Sequence, residues 1–122
     1  MTSKWKWISS KLKDILHHDS FNLPEKALEI DRALESIYGY TTTPYFKEKE
    51  EEIEERYNKL NNRKDKLKHI DGVVRSVLYC VACYEHKRNC NSCEFAKKYG
   101  DCDENDSLFG GFYSAFSYHL QY

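Results

Sequence analysis

No apolar run in this 122-residue chain reaches the length of a membrane-spanning helix. The first eighteen residues, MTSKWKWISSKLKDILHH, interrupt every apolar run with lysine and contain no secretory h-region. These two absences predict a cytoplasmic protein with no membrane contact. An excess of one charge is also missing. The net charge is −1, so the global electrostatic signature of a nucleic-acid binder is absent. Cysteine does not occur outside residues 80–102. Catalytic signatures are lacking too: there is no glycine-rich phosphate cradle, no HExxH and no G-x-S-x-G. No H-x-E precedes a C-x-x-C, as a zinc deaminase requires. The chain reads as no enzyme.

What remains is the pattern of an all-α protein. The length corresponds to one domain with a modest core. Trp5, Ile8, Leu12, Ile15 and Leu16 fall at helical spacing with lysines on the other faces, which predicts a first amphipathic helix. Such a basic helix suits either docking on its own domain or a surface partner. Pro24 suits the first turn of a second helix, Ala27, Ile30, Leu34 and Ile37 mark its buried face, and Gly39 ends it. Thr43 and Pro44 then open the main element as N-cap and first helical residue.

Beyond Pro44, Phe46, Ile53, Leu60, Leu67, Val74 and Val81 recur every seven residues. Tyr57, Ile70, Val77 and Tyr84 partly fill a second seam. A period of seven predicts one long coiled-coil-like helix over 44–85, about 60 Å if continuous. Asn61-Asn62 and Asp71-Gly72 are poor helix formers and are the two places where this rod can break. The expected organisation is a small helical bundle in a single domain, 1–122. It comprises two short helices in 1–38, the long helix 44–85, a cysteine loop at 86–106 and an aromatic tail at 107–122. Gly110-Gly111 splits that tail, and Phe112, Phe116 and His119 or Leu120 suit one face of a short final helix, with a strand as the alternative. A long seam left wet on an isolated arm also makes a homodimer an expectation.

The neutral total conceals two opposed blocks. EKEEEIEE at 48–55 carries six glutamates against one lysine, and Arg56, Lys59, Arg63, Lys64, Lys66 and Lys68 follow. Glutamates at a helix N-terminus complement the macrodipole, and Glu52–Arg56 and Glu55–Lys59 are favourable i,i+4 pairs. The bland reading of the acidic block is therefore a solvated helix face.

Five cysteines follow the spacing Cys80-x2-Cys83-x6-Cys90-x2-Cys93-x8-Cys102. In a reducing compartment such a cluster points to metal before disulfides, and zinc takes four thiolate or imidazole ligands in a tetrahedron. Iron–sulfur, disulfides and free thiols are the competing readings. Cys90 and Cys93 supply one pair from a tight turn. Cys83 points off the helical core stripe and Cys80 lies at its edge, with His86 a further candidate. Five thiols for four places leave one over.

The run Cys83, Cys90, Cys93, Phe95, Gly100, Cys102 resembles a pattern in small uncharacterised proteins of bacteriophages and prophages: C-x5-7-C-x2-C-x-F, a few polar residues, then G-x-C. The likeness covers about twenty residues. It departs where that family commonly has proline before the aromatic and this chain has Glu94. The resemblance implies Cys83, Cys90, Cys93 and Cys102 as the ligands of a structural zinc, and a phage or mobile-element origin. It implies no activity.

Two functional expectations follow. The first is a non-enzymatic protein-binding module with zinc as a structural staple, offering tyrosine-rich and acidic surface to a host protein. In a phage setting the target would be a defence nuclease or polymerase, and the mode inhibition, as in small anti-CRISPR proteins. The alternative is a nucleic-acid binder using a zinc knuckle and the basic face of the long helix: Lys59, Arg63, Lys64, Lys66 and Lys68 with Lys87, Arg88, Lys97 and Lys98.

Overall fold

The computed structural model describes residues 3–16, 21–87, 93–100 and 107–121. Among them there are helices and no strands, so the all-α expectation holds. The order is α1 (Lys4–Ile15), α2 (Leu23–Tyr38), α3 (Pro44–Asn58), α4 (Arg63–Arg75), a 3-10 turn (Val77–Tyr79), α5 (Val81–Glu85), α6 (Glu94–Tyr99) and α7 (Leu108–Gln121).

The first half forms as its local signals dictate. Ser3 caps α1 by accepting from the Lys6 N–H at 3.2 Å. Trp5, Ile8 and Leu12 are buried, and α1 packs along α2 more extensively than any other pair of elements. Pro24 sits in the first turn of α2. Gly39 closes α2 at φ +80°, in the left-handed region that favours glycine. Two buried polar bonds fix the register of this pair: Ser3 Oγ to Asp31 Oδ1 at 2.5 Å, and Ser9 Oγ to the Pro24 carbonyl at 2.9 Å.

The expected long helix over 44–85 is not one helix. It is α3, α4, a 3-10 turn and α5 in succession. The first break falls at Asn61-Asn62. Asn62 stands in extended backbone and caps α4 by accepting from the Asp65 N–H at 2.9 Å, so its side chain supplies what a continuing helix would have supplied. Asp71-Gly72 stays helical inside α4, because Ile70, Val73 and Val74 around it are buried. The second break comes at Ser76 instead. There the buried Lys4 ammonium donates to the Val74 carbonyl at 2.9 Å and the Ser76 carbonyl at 3.2 Å. It satisfies the C-terminus of α4 from seventy residues away, where a cation also complements the helix dipole.

Five of the six heptad residues still lie inside, while Leu60, beside the first break, is half-buried. Phe46, Ile53, Leu67, Val74 and Val81 are all buried within this one chain. The seam is consumed internally, which removes the reason for expecting a dimer along it. The second seam is only half covered: Tyr57 and Ile70 are buried, whereas Val77 and Tyr84 are exposed.

The aromatic tail also departs from its reading. α7 runs straight through Gly110-Gly111, with Ser107 Oγ accepting from the Gly110 N–H at 2.9 Å at its start. Its rings close the core. Phe109 and Phe112 meet Trp5 edge-on at 5.7 and 5.3 Å, and Phe116 stacks on Phe112.

Candidate metal centre and binding surfaces

The described cysteines fall into two groups. Cys80 caps the start of α5 and Cys83 lies in its first turn, both half-buried. A hydrogen bond from Cys83 pulls the Cys80 thiol down to about 5. Burial opposes this, and the Lys4 charge and the N–H groups of Cys83 and Ala82 add to it. The helical wheel separates the two sulfurs; the broken helix brings them together. The lowering belongs to the Cys80–Cys83 pair and not to Cys80 alone.

Cys93 is buried at the N-cap of α6. Its partner is the Tyr38 phenol at the end of α2. That oxygen accepts from the Phe95 N–H at 3.3 Å and lies 3.0 Å from His86 Nε2, which in turn accepts from the Glu94 N–H at 3.3 Å. Burial raises the Tyr38 phenol well above its ordinary range, against the Phe95 N–H, and the neighbouring Cys93 pushes it further. Tyr38 is a hub that sequence reasoning missed. It sits 48 residues before His86 and 57 before Phe95, and no local pattern announces that meeting.

Cys90 and Cys102 lie outside the described residues. Among the described residues, no three His, Cys, Asp or Glu side chains gather as a metal site needs. Cys83 lies in α5 and Cys93 at the N-cap of α6, each already hydrogen-bonded to a neighbour.

The acidic block divides by face. Glu54 turns inward, where it accepts from Trp7 Nε1 at 2.6 Å and Lys11 Nζ at 2.7 Å. Burial would raise its carboxyl, but those two donors outweigh it and hold the group below the usual carboxylate range. Glu52 is bridged by Arg56 at 2.7 Å and Lys49 at 3.7 Å. Glu48, Glu51 and Glu55 are exposed, and their i,i+3,i+7 spacing puts them in one row along α3.

The basic block divides as well. Lys66 leans over the buried Tyr57 ring at 5.4 Å, and Arg75 pairs with Asp71 at 3.7 Å. Lys64 and Lys68 are exposed one turn apart on α4. Lys97 and Lys98 are on α6, whose main packing is against α2, whereas α4 packs mainly on α1 and α7. The expected single basic face therefore lies on elements with different neighbours.

A groove of about 520 Å³ opens where the 3-10 turn meets α3 and α5. Tyr45 and Tyr84 touch across it with ring centroids 6.5 Å apart, and Cys83 contributes to its lining. Tyr40 donates to Glu85 on its rim. Among the described residues, no helix is long and apolar enough to cross a membrane. Compared with protein-family models, with curated proteins and with solved structures, the chain matches none of them.

Proposed function

We propose that this chain is a non-enzymatic protein-binding module of phage or mobile-element type. It acts by binding a host protein, such as a defence nuclease or polymerase, and inhibiting it. The observation that carries this reading is the row Glu48, Glu51 and Glu55. Three carboxylates lie along one exposed line of α3, while the opposite face of the same helix is locked into the core by Phe46, Ile53 and Tyr57. A rigid acidic rod is a suitable occupant of a cleft that otherwise receives nucleic acid.

Zinc is the structural staple of this reading. Cys83, Cys90, Cys93 and Cys102 would hold it, and the lowering within the Cys80–Cys83 pair suits a cation nearby. Purified protein should carry one zinc per chain, and chelation should unfold the 80–106 region. Metal-free protein with an unchanged fold removes the staple.

The test of function is capture from a bacterial lysate with nuclease present throughout, followed by identification of the bound protein and assay of its activity. Reversal of Glu48, Glu51 and Glu55 to lysine should abolish capture and inhibition together. Inhibition that survives the triple reversal overturns the reading. The exposed Lys64 and Lys68 favour the second reading, a nucleic-acid binder. It predicts that DNA or RNA replaces the protein partner in untreated eluates and that binding weakens steeply with salt.

A further inference from the structure

We propose that the groove beside the 3-10 turn is where two copies of this chain pair about a two-fold axis. Six large hydrophobic side chains are exposed among the described residues, and four of them line this one groove: Tyr45, Val77, Leu78 and Tyr84. The remaining two, Phe21 and Tyr118, pack against each other elsewhere. Exposed apolar groups gathered in a concave site mark an interaction surface, whereas scattered ones do not.

The sequence pattern points to the same residues. Val77 and Tyr84 continue the seam of Tyr57 and Ile70. The chain buries the first two positions of that pattern and leaves the last two uncovered. The helix that would have hidden them ends at Ser76, where Lys4 takes its carbonyls. The uncovered half is held in a fixed shape: Thr43 Oγ1 donates to the Leu78 carbonyl at 3.2 Å, and Tyr40 orients Glu85. A groove that is already ordered loses little freedom on binding.

Charge identifies the occupant. Glu85 and Lys87 both line the groove, two residues apart. A uniformly basic partner would satisfy Glu85 and repel Lys87; a uniformly acidic one would do the reverse. A second copy of the same surface satisfies both. In a two-fold contact, whatever residue i meets on the partner, that residue meets i in return. Glu85 of each copy then faces Lys87 of the other, over a centre of tyrosine, valine and leucine. This pairing uses the uncovered end of the second seam and not the buried first one, and it does not use the row Glu48, Glu51, Glu55, so it stands or falls separately from the binding reading.

Sedimentation equilibrium of the full chain over a dilution series is the test. The parent should be a dimer that dissociates on dilution, and Leu78→Asp a monomer. Glu85→Lys alone and Lys87→Glu alone should each weaken pairing about tenfold or more through like-charge contacts. The double variant, Glu85→Lys with Lys87→Glu, should pair more tightly than either single variant, short of the parent by the loss of the Tyr40 bond to Glu85. Circular dichroism of each variant separates lost pairing from lost fold. A parent that is monomeric at every concentration overturns the proposal. So does a dimer indifferent to the single reversals, or a double variant no tighter than the singles.

Discussion

Lys4 is 2% exposed, and its Nζ reaches two backbone carbonyls. A buried ammonium is costly unless its donors are used, and here two of them end a helix. Its ring contact with Trp5, 5.1 Å to the centroid, adds a further favourable term. Lys4→Met keeps the volume but removes the donor to the Val74 carbonyl, while the Ser76 carbonyl keeps its bond from the Tyr79 N–H at 3.2 Å. It should cost about 1–3 kcal/mol, read as a lower urea midpoint at unchanged slope. Glu54 gives the matching test in pH. Its folded-state value lies below the ordinary 4.5, so its contribution is fully present above that value. The contribution is lost as pH falls through the lower folded value. Glu54→Gln should therefore lower stability at neutral pH and flatten the acid side of the profile. A Glu54→Gln profile parallel to the parent's would show that the Trp7 and Lys11 bonds do not stabilise the charged form.

Helix boundaries divide into those written locally and those written at a distance. Thr43-Pro44, Gly39 and Asn62 are local, and each acts where its chemistry says it should. The end of α4 is not local, because the group that terminates it is Lys4. The seven-residue repeat misled for a related reason. Consecutive short helices that share one core also present an apolar residue every two turns, so the period survives breaks that the rod does not. At the candidate site, Cys83 lies in the short α5 and not in the last turns of a long helix, and Cys93 precedes α6, a helix inside the expected 86–106 loop. Tyr38, the residue that touches Cys93, is visible only once α2 and α6 are packed, and Cys90 and Cys102 lie outside the described residues. Gly72 tests the boundary argument. It is exposed within α4, and a Cβ there would meet nothing within 4 Å. Gly72→Ala should stabilise the protein by about 0.5–1 kcal/mol, seen as a higher melting temperature. At Gly39, equally open but at φ +80°, the same change should destabilise by about 1 kcal/mol or more.

Across the whole molecule, the contacts that complete the core join its ends. Trp5 is walled by Phe109 and Phe112 of α7, and Phe112→Ala should cost about 3–5 kcal/mol. The same variant should shift tryptophan emission to the red, because the cavity lies against the indole. Unchanged emission would mean that Trp5 is not packed on α7. A chain synthesised from its N-terminus makes Trp5, Ile8 and Leu12 early and α7 last among the described helices. Until α7 packs, α1 has α2 and α4 to lie against, but the Trp5 ring lacks its contacts with Phe109 and Phe112. Indole fluorescence therefore reports on folding order: a blue shift marks the step at which α7 docks on Trp5.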